Sequence, residues 1–158
     1  MASQIRSSFV FHRTLKMKKY KLLRFTSAGL IGLSAFAILM VSIMAFQDPQ
    51  KVMDLVQVTL PNNDAFSSIR GVYGGVGLTV CISLVYLAFK DHTKGLAFTS
   101  VLWGSYAFSR LMTILVEGPL GAFGMQWLYI ESILCVVSVT LLAIRLNVQE
   151  KKAVHVRA

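Results

Sequence analysis

Four long apolar runs dominate the chain: Phe25–Phe46, Gly71–Phe89, Gly95–Val116 and Ala122–Ile144. The first two carry no charge, the third carries Arg110 and the fourth carries Glu131. About 20 apolar residues cross the hydrocarbon layer as a helix. The runs are continuous rather than alternating, so they predict helices. Only helices and closed barrels satisfy their backbone in lipid, and four segments cannot close a barrel. The pattern predicts an all-α integral membrane four-helix bundle.

The connections differ. Residues 47–70 read QDPQKVMDLVQVTLPNNDAFSSIR. Pro49 and Pro61 bracket a stretch with Val52, Leu55, Val56 and Thr59 at helical spacing, which predicts a short amphipathic helix on the membrane surface. The second connection is the basic pentapeptide KDHTK, and the third, EGPLG, is a tight turn on Gly118 and Pro119.

Charge sets the orientation. Seven of the 16 lysines and arginines precede the first run, in residues 6–24. Two flank the second connection and four lie in residues 145–158, whereas Lys51 and Arg70 serve the opposite side. The positive-inside bias therefore predicts N-in and C-in. The expected layout is a basic cytoplasmic tail over 1–24, a membrane domain over 25–144 and a second basic tail over 145–158. Both tails suit anionic lipid headgroups. No recognition motif accompanies the net charge of +9, which argues against nucleic acid. Met17 opens MKKYKLLRF and is an alternative start to Met1. The first run is long and lacks a small-x-small cleavage site, so it reads as a retained span rather than a signal peptide.

With 55% hydrophobic and 15% charged residues, a soluble domain of 158 residues would expose too much apolar surface. Cys81 and Cys135 lie within apolar runs and read as small buried hydrophobes. His12, His92 and His155 lie outside the runs. Neither a metal site nor a cofactor is implied.

Ionisable groups inside a membrane cost about 2.5–3.5 kcal/mol each on insertion scales. Arg110 sits roughly 10 Å below the outer end of its helix and Glu131 roughly 15 Å below the same surface. An Arg110–Glu131 ion pair is the simplest way to make both tolerable. Thr99, Trp103, Tyr106, Arg110, Thr113 and Glu117 recur at helical spacing, as do Gly124, Trp127, Glu131, Cys135 and Ser138. Arg70, Gly74, Gly77 and Cys81 form a stripe on the second run, and Gly71 and Gly75 make a GxxxG. Gly71, Gly74, Gly75 and Gly77 are thus the candidate packing glycines. Asn63, Arg70, Tyr73, Tyr106, Arg110, Glu117, Trp127 and Glu131 are the candidate intramembrane polar cluster.

These residues also carry a resemblance. NNDAFSSIRGVYGGVGL, FSRLMTILVEGP and the acidic residue in IESIL resemble a bacterial membrane family catalogued as domain of unknown function 4345. The family pattern covers Asn62 or Asn63, Arg70, Tyr73, Gly74, Arg110, Glu117, Gly118, Pro119 and Glu131. Thr113 stands where the family often has serine and Glu117 where it has aspartate. The turn EGPLG lacks the family's second proline. The resemblance implies a multi-pass protein of the bacterial inner membrane; the family name confers no activity.

Three functions fit. The first is a non-enzymatic protein that binds a small ligand or lipid, or stabilises a partner complex. The second is a small proton-coupled carrier using Glu131, which with four spans needs a homodimer. The third is an enzyme acting on a lipid or quinone. No nucleophile–base pair or phosphate loop is present, so no catalytic residue is named and an enzyme is the least supported.

Overall fold

The computed structural model describes the backbone of residues 2–157 and the side chains of residue 18 and residues 20–149. Met1, one of the two candidate start residues, and the side chains of Met17 and of most tail charges lie outside what the structure describes. The elements are α1 (Ala2–Gln47), α2 (Pro49–Asp54), α3 (Asn63–Ile69), a π-helical segment (Arg70–Val76), α4 (Gly77–Lys90), α5 (His92–Val116) and α6 (Ala122–Arg157). No strand occurs among the described residues.

Three helical stretches are long and apolar enough to cross a membrane, at residues 20–47, 63–90 and 122–149. They mark the chain as a membrane protein. The third sequence run forms α5, which has comparable length. Thr99, Ser100, Ser105, Ser109 and Arg110 dilute its hydropathy, and it is not among the three.

Most packing lies within two antiparallel pairs, α1 with α4 and α5 with α6. α1 runs unbroken from Ala2 to Gln47, so the helix of the first span continues into the basic segment before it. Its inner face is small and polar: Ser27, Ile31, Ser34, Ala35, Ser42 and Ala45 are buried, while Phe25, Leu33, Phe36, Met40 and Phe46 are exposed. Small residues let helix backbones approach closely in lipid. Ile31, Ala35, Cys81, Leu84 and Leu96 form the core between α1, α4 and α5. Gly95 lets α5 start against α1, since a Cβ there would stand 2.6 Å from Ile31 Cδ1.

The π segment lies where the second helix crosses α1. Ser42 Oγ donates 2.6 Å to the Gly74 carbonyl oxygen, drawing on a backbone group that an α-helix keeps for itself. A Cβ on Gly74 would meet the Phe46 ring at 3.0 Å, and one on Gly77 would meet Ser42 Cβ at 3.3 Å. Gly71 and Gly75 have open space beside them. The packing glycines are therefore Gly74 and Gly77, and the GxxxG pair faces away from the neighbouring helices.

The long connection is more compact than its spacing predicts. The helix runs only from Pro49 to Asp54, capped by Asp48 Oδ1, which accepts from the Gln50 backbone N–H. Gln50 then folds the following chain back. Its Nε2 donates to Val58 O at 2.9 Å and its Oε1 accepts from Leu60 N at 2.9 Å. Gln57 takes a left-handed φ of 58° to allow the reversal. These bonds outweigh the helical spacing of Leu55, Val56 and Thr59. Val52 and Met53 pack on Ala45 and close this end of the bundle.

At the opposite end a single residue joins α4 to α5. Asp91 is extended, and its carboxylate accepts from Thr93 N at 3.0 Å and Lys94 N at 3.1 Å. The backbone bond from Lys94 is the main reason its pKa lies below the ordinary carboxylate value. His92, next to it, is buried. That burial, followed by the charges of Arg145 and Arg24, holds its pKa below 6.5, against a smaller opposing pull from Asp91. Below pH 6.5 the unfolded chain takes up a proton that the folded chain resists, so this contribution to stability falls as pH drops through that value. We expect thermal stability in detergent to fall between about pH 7 and about pH 5, and His92→Gln to flatten that part of the profile. An unchanged slope in the variant would assign it to other groups.

Candidate functional site

Arg110 and Glu131 are brought together by the antiparallel packing of α5 on α6. The register holds along the whole pair. Cys135 Sγ lies 3.6 Å from Ser100 O, and Thr93 Oγ1 accepts from Arg145 Nε at 3.3 Å and Gln149 Nε2 at 3.1 Å. Gly104 sits opposite Cys135 and keeps the helices close. This places the guanidinium across from the carboxylate. Arg110 Nε donates to Glu131 Oε2 at 2.7 Å and Nη2 donates to Oε1 at 2.9 Å. The fork is bidentate, the strongest geometry for such a pair. The Glu131 side chain is 3% exposed and that of Arg110 is 23% exposed, so the acid is enclosed and the base faces open space.

That space is a partly open cavity of about 490 Å³ between the two helix pairs. Arg110 and Glu131 lie on its wall, with Trp103, Tyr106 and Ser109 of α5 and Phe123 and Trp127 of α6. The other wall comes from Ala37, Ile38 and Val41 of α1 and from Val72, Tyr73, Val76, Gly77 and Val80 of the π segment and α4. Val52, Met53, Leu55 and Val56 complete it at the end covered by α2. Its size falls within the range of small-ligand sites, which pair apolar walls with a few polar groups.

Trp103 is held in place rather than free to turn. It is 3% exposed, and its Nε1 donates 2.9 Å to Ser34 Oγ of α1. Ser34 Oγ in turn donates to Leu30 O at 2.9 Å. Tyr106 lies one turn on, with its ring centroid 6.0 Å from that of Trp103. Among the described residues no buried side-chain nitrogen or oxygen lacks a hydrogen-bond partner. No cluster of histidine, cysteine and carboxylate residues with metal-holding geometry occurs among them either.

The structure divides the candidate polar cluster. Tyr73, Tyr106, Arg110, Trp127 and Glu131 share the cavity. Arg70, Asn63 and Glu117 do not line it. Arg70 is exposed and its Nε makes a long 3.4 Å bond to Phe46 O near the end of α1, where a cation suits the helix dipole. Asn63 is exposed in the first turn of α3, and its neighbour Asn62 is the cap, accepting from Ala65 N at 2.9 Å. Glu117 is exposed in the α5–α6 turn, where its backbone N–H and that of Gly118 both donate to Thr113 O and Gly118 takes a φ of 106°. Cys81 and Cys135 are free thiols.

Sequence reasoning passed over α1. Ser34 and the cavity residues Ala37, Ile38 and Val41 belong to a span without charge. The signal present was the recurrence of Ser27, Ser34 and Ser42 among bulky residues, about two turns apart.

A family profile described as domain of unknown function DUF4345 matches residues 27–142. The chain belongs to this family. The matched region of the DUF4345 chain takes in the cavity and the ion pair, and leaves out both basic ends. No curated protein and no solved structure matches the chain.

Proposed function

We propose that the chain is a four-span protein of the bacterial cytoplasmic membrane, with both termini in the cytoplasm, that binds a small amphiphilic ligand without catalysing a reaction. The cavity carries this reading: apolar and aromatic walls surround one charged pair, among helices apolar enough to lie in lipid.

Two arguments support the fourth span. At 25 residues α5 is about 37 Å long, enough to cross the hydrocarbon. It also stays in register with α6 from Thr93 to Arg110, so a bilayer that holds one holds both. The orientation rests on the lysine and arginine bias. The basic groups at that end, Lys90, Lys94 and Arg145 among them, suit anionic headgroups.

A carrier based on Glu131 would have to break both guanidinium bonds in each cycle. An enzyme would need a reacting group beyond the tyrosines, Ser109 and the paired charges. A partner protein or a second copy would meet the lipid-facing surface rather than the cavity.

The test is native mass spectrometry of protein released from mild detergent. We expect a bound small molecule, retained by the wild type and lost in Ala37→Phe, which fills the cavity from α1. Equal retention by the folded Ala37→Phe variant, or no binding of any added amphiphile, would overturn the reading.

A further inference from the structure

The same cavity restricts the charge of its ligand. Resting on the reading above, we propose that the site selects an uncharged amphiphile: an aliphatic tail with a carbonyl or similar hydrogen-bond-accepting head, placed against Arg110. Both carboxylate oxygens of Glu131 are engaged by Arg110, at 2.7 and 2.9 Å, so the pair presents no net charge. An anionic head competing for the guanidinium would leave Glu131, 2% exposed, without its counter-charge. A cationic head competing for the carboxylate would part Arg110, the more exposed partner, from its counter-charge. Either substitution meets the large penalty of an unpaired buried charge.

A neutral acceptor needs no such exchange. A guanidinium carries five N–H donors, and the pair with Glu131 uses two of them. The remaining donors belong to the more exposed partner, which lines the cavity. A carbonyl oxygen can accept from them while the pair stays closed. Trp103, Tyr106 and Trp127 offer aromatic surface beside the head, and Ile38, Val41 and Val76 offer aliphatic surface for the tail.

The chain supplies its own probe, because its two tryptophans, Trp103 and Trp127, both line the cavity. Bromine quenches nearby indole fluorescence. Protein in detergent is titrated with dibromostearic acid methyl ester, with dibromostearate at alkaline pH and with dibromostearylammonium, and unbrominated methyl stearate serves as competitor. The expected result is saturable, displaceable quenching by the ester, with the anion and the ammonium at least about tenfold weaker. Glu131→Gln frees the charge of Arg110 and should shift preference toward the anion. The double variant Arg110→Met with Glu131→Met avoids a stranded charge and should lose about tenfold in ester affinity as the donor disappears.

Wild-type protein that binds the anion or the ammonium as tightly as the ester would overturn the neutral selectivity while leaving ligand binding intact. So would a Glu131→Gln variant whose preference does not move. Absence of saturable quenching by all three probes would instead remove the cavity-binding reading itself.

Discussion

Arg110→Ala should lower the stability of the bundle by about 3–5 kcal/mol, the cost of removing one partner of a buried ion pair. The loss comes less from the missing attraction than from Glu131, which is 2% exposed and would stay in the membrane interior without its two donors. Replacing both residues by methionine removes the charges together and should fall within about 1 kcal/mol of wild type. Unfolding in mixed micelles with increasing denaturing detergent measures both variants. If the single and double variants lose the same amount, the pair is not the lock between α5 and α6.

Trp103→Ala should cost about 3 kcal/mol, the low end of large-to-small core changes, since lipid replaces water as the outer solvent. The indole is 3% exposed and joins α5 to α1, so its removal opens a void between the two helix pairs, which touch each other less than the members of each pair do. Trp103→Phe separates the two contributions. It keeps most of the volume and removes the bond to Ser34. Because Ser34 keeps its bond to Leu30 O, that change should cost only about 0.6 kcal/mol, the typical value of an interhelical hydrogen bond in a membrane. A Trp103→Ala protein as stable as Trp103→Phe would show that the void collapses.

The sequence makes the helices legible because uncharged segments of this length have few alternatives in water or lipid. Arg110 and Glu131 stand out for the same reason: a charge in an apolar run must be answered by something, and each is the lone charge in its run. Depth along a helix then suffices to pair them. Other features depend on which faces meet, and periodicity alone does not fix that. The GxxxG of Gly71 and Gly75 is as regular in sequence as Gly74 and Gly77, yet the π segment and Ser42 select the second pair. Arg70 and Glu117 fall at plausible spacing for the cluster, but each sits at a helix end with a local backbone role or solvent to face. The compact connection rests on the side chain of Gln50 bonding eight and ten residues ahead, which no helical pattern records. The serines of α1 look like ordinary polar dilution until Trp103 is placed opposite Ser34.

With all four helices crossing the bilayer, as proposed, the α1–α3 connection and the α5–α6 turn share one outer surface. Site-directed labelling tests this topology most directly. Single cysteines at Asn62, Leu120 and Lys94, in a chain carrying Cys81→Ala and Cys135→Ala, are treated in intact cells with a membrane-impermeant maleimide. The cysteines at positions 62 and 120 should react from outside, and the one at position 94 only after permeabilisation. Reaction of positions 94 and 120 from the same side would show that α5 does not span and would overturn the four-span topology.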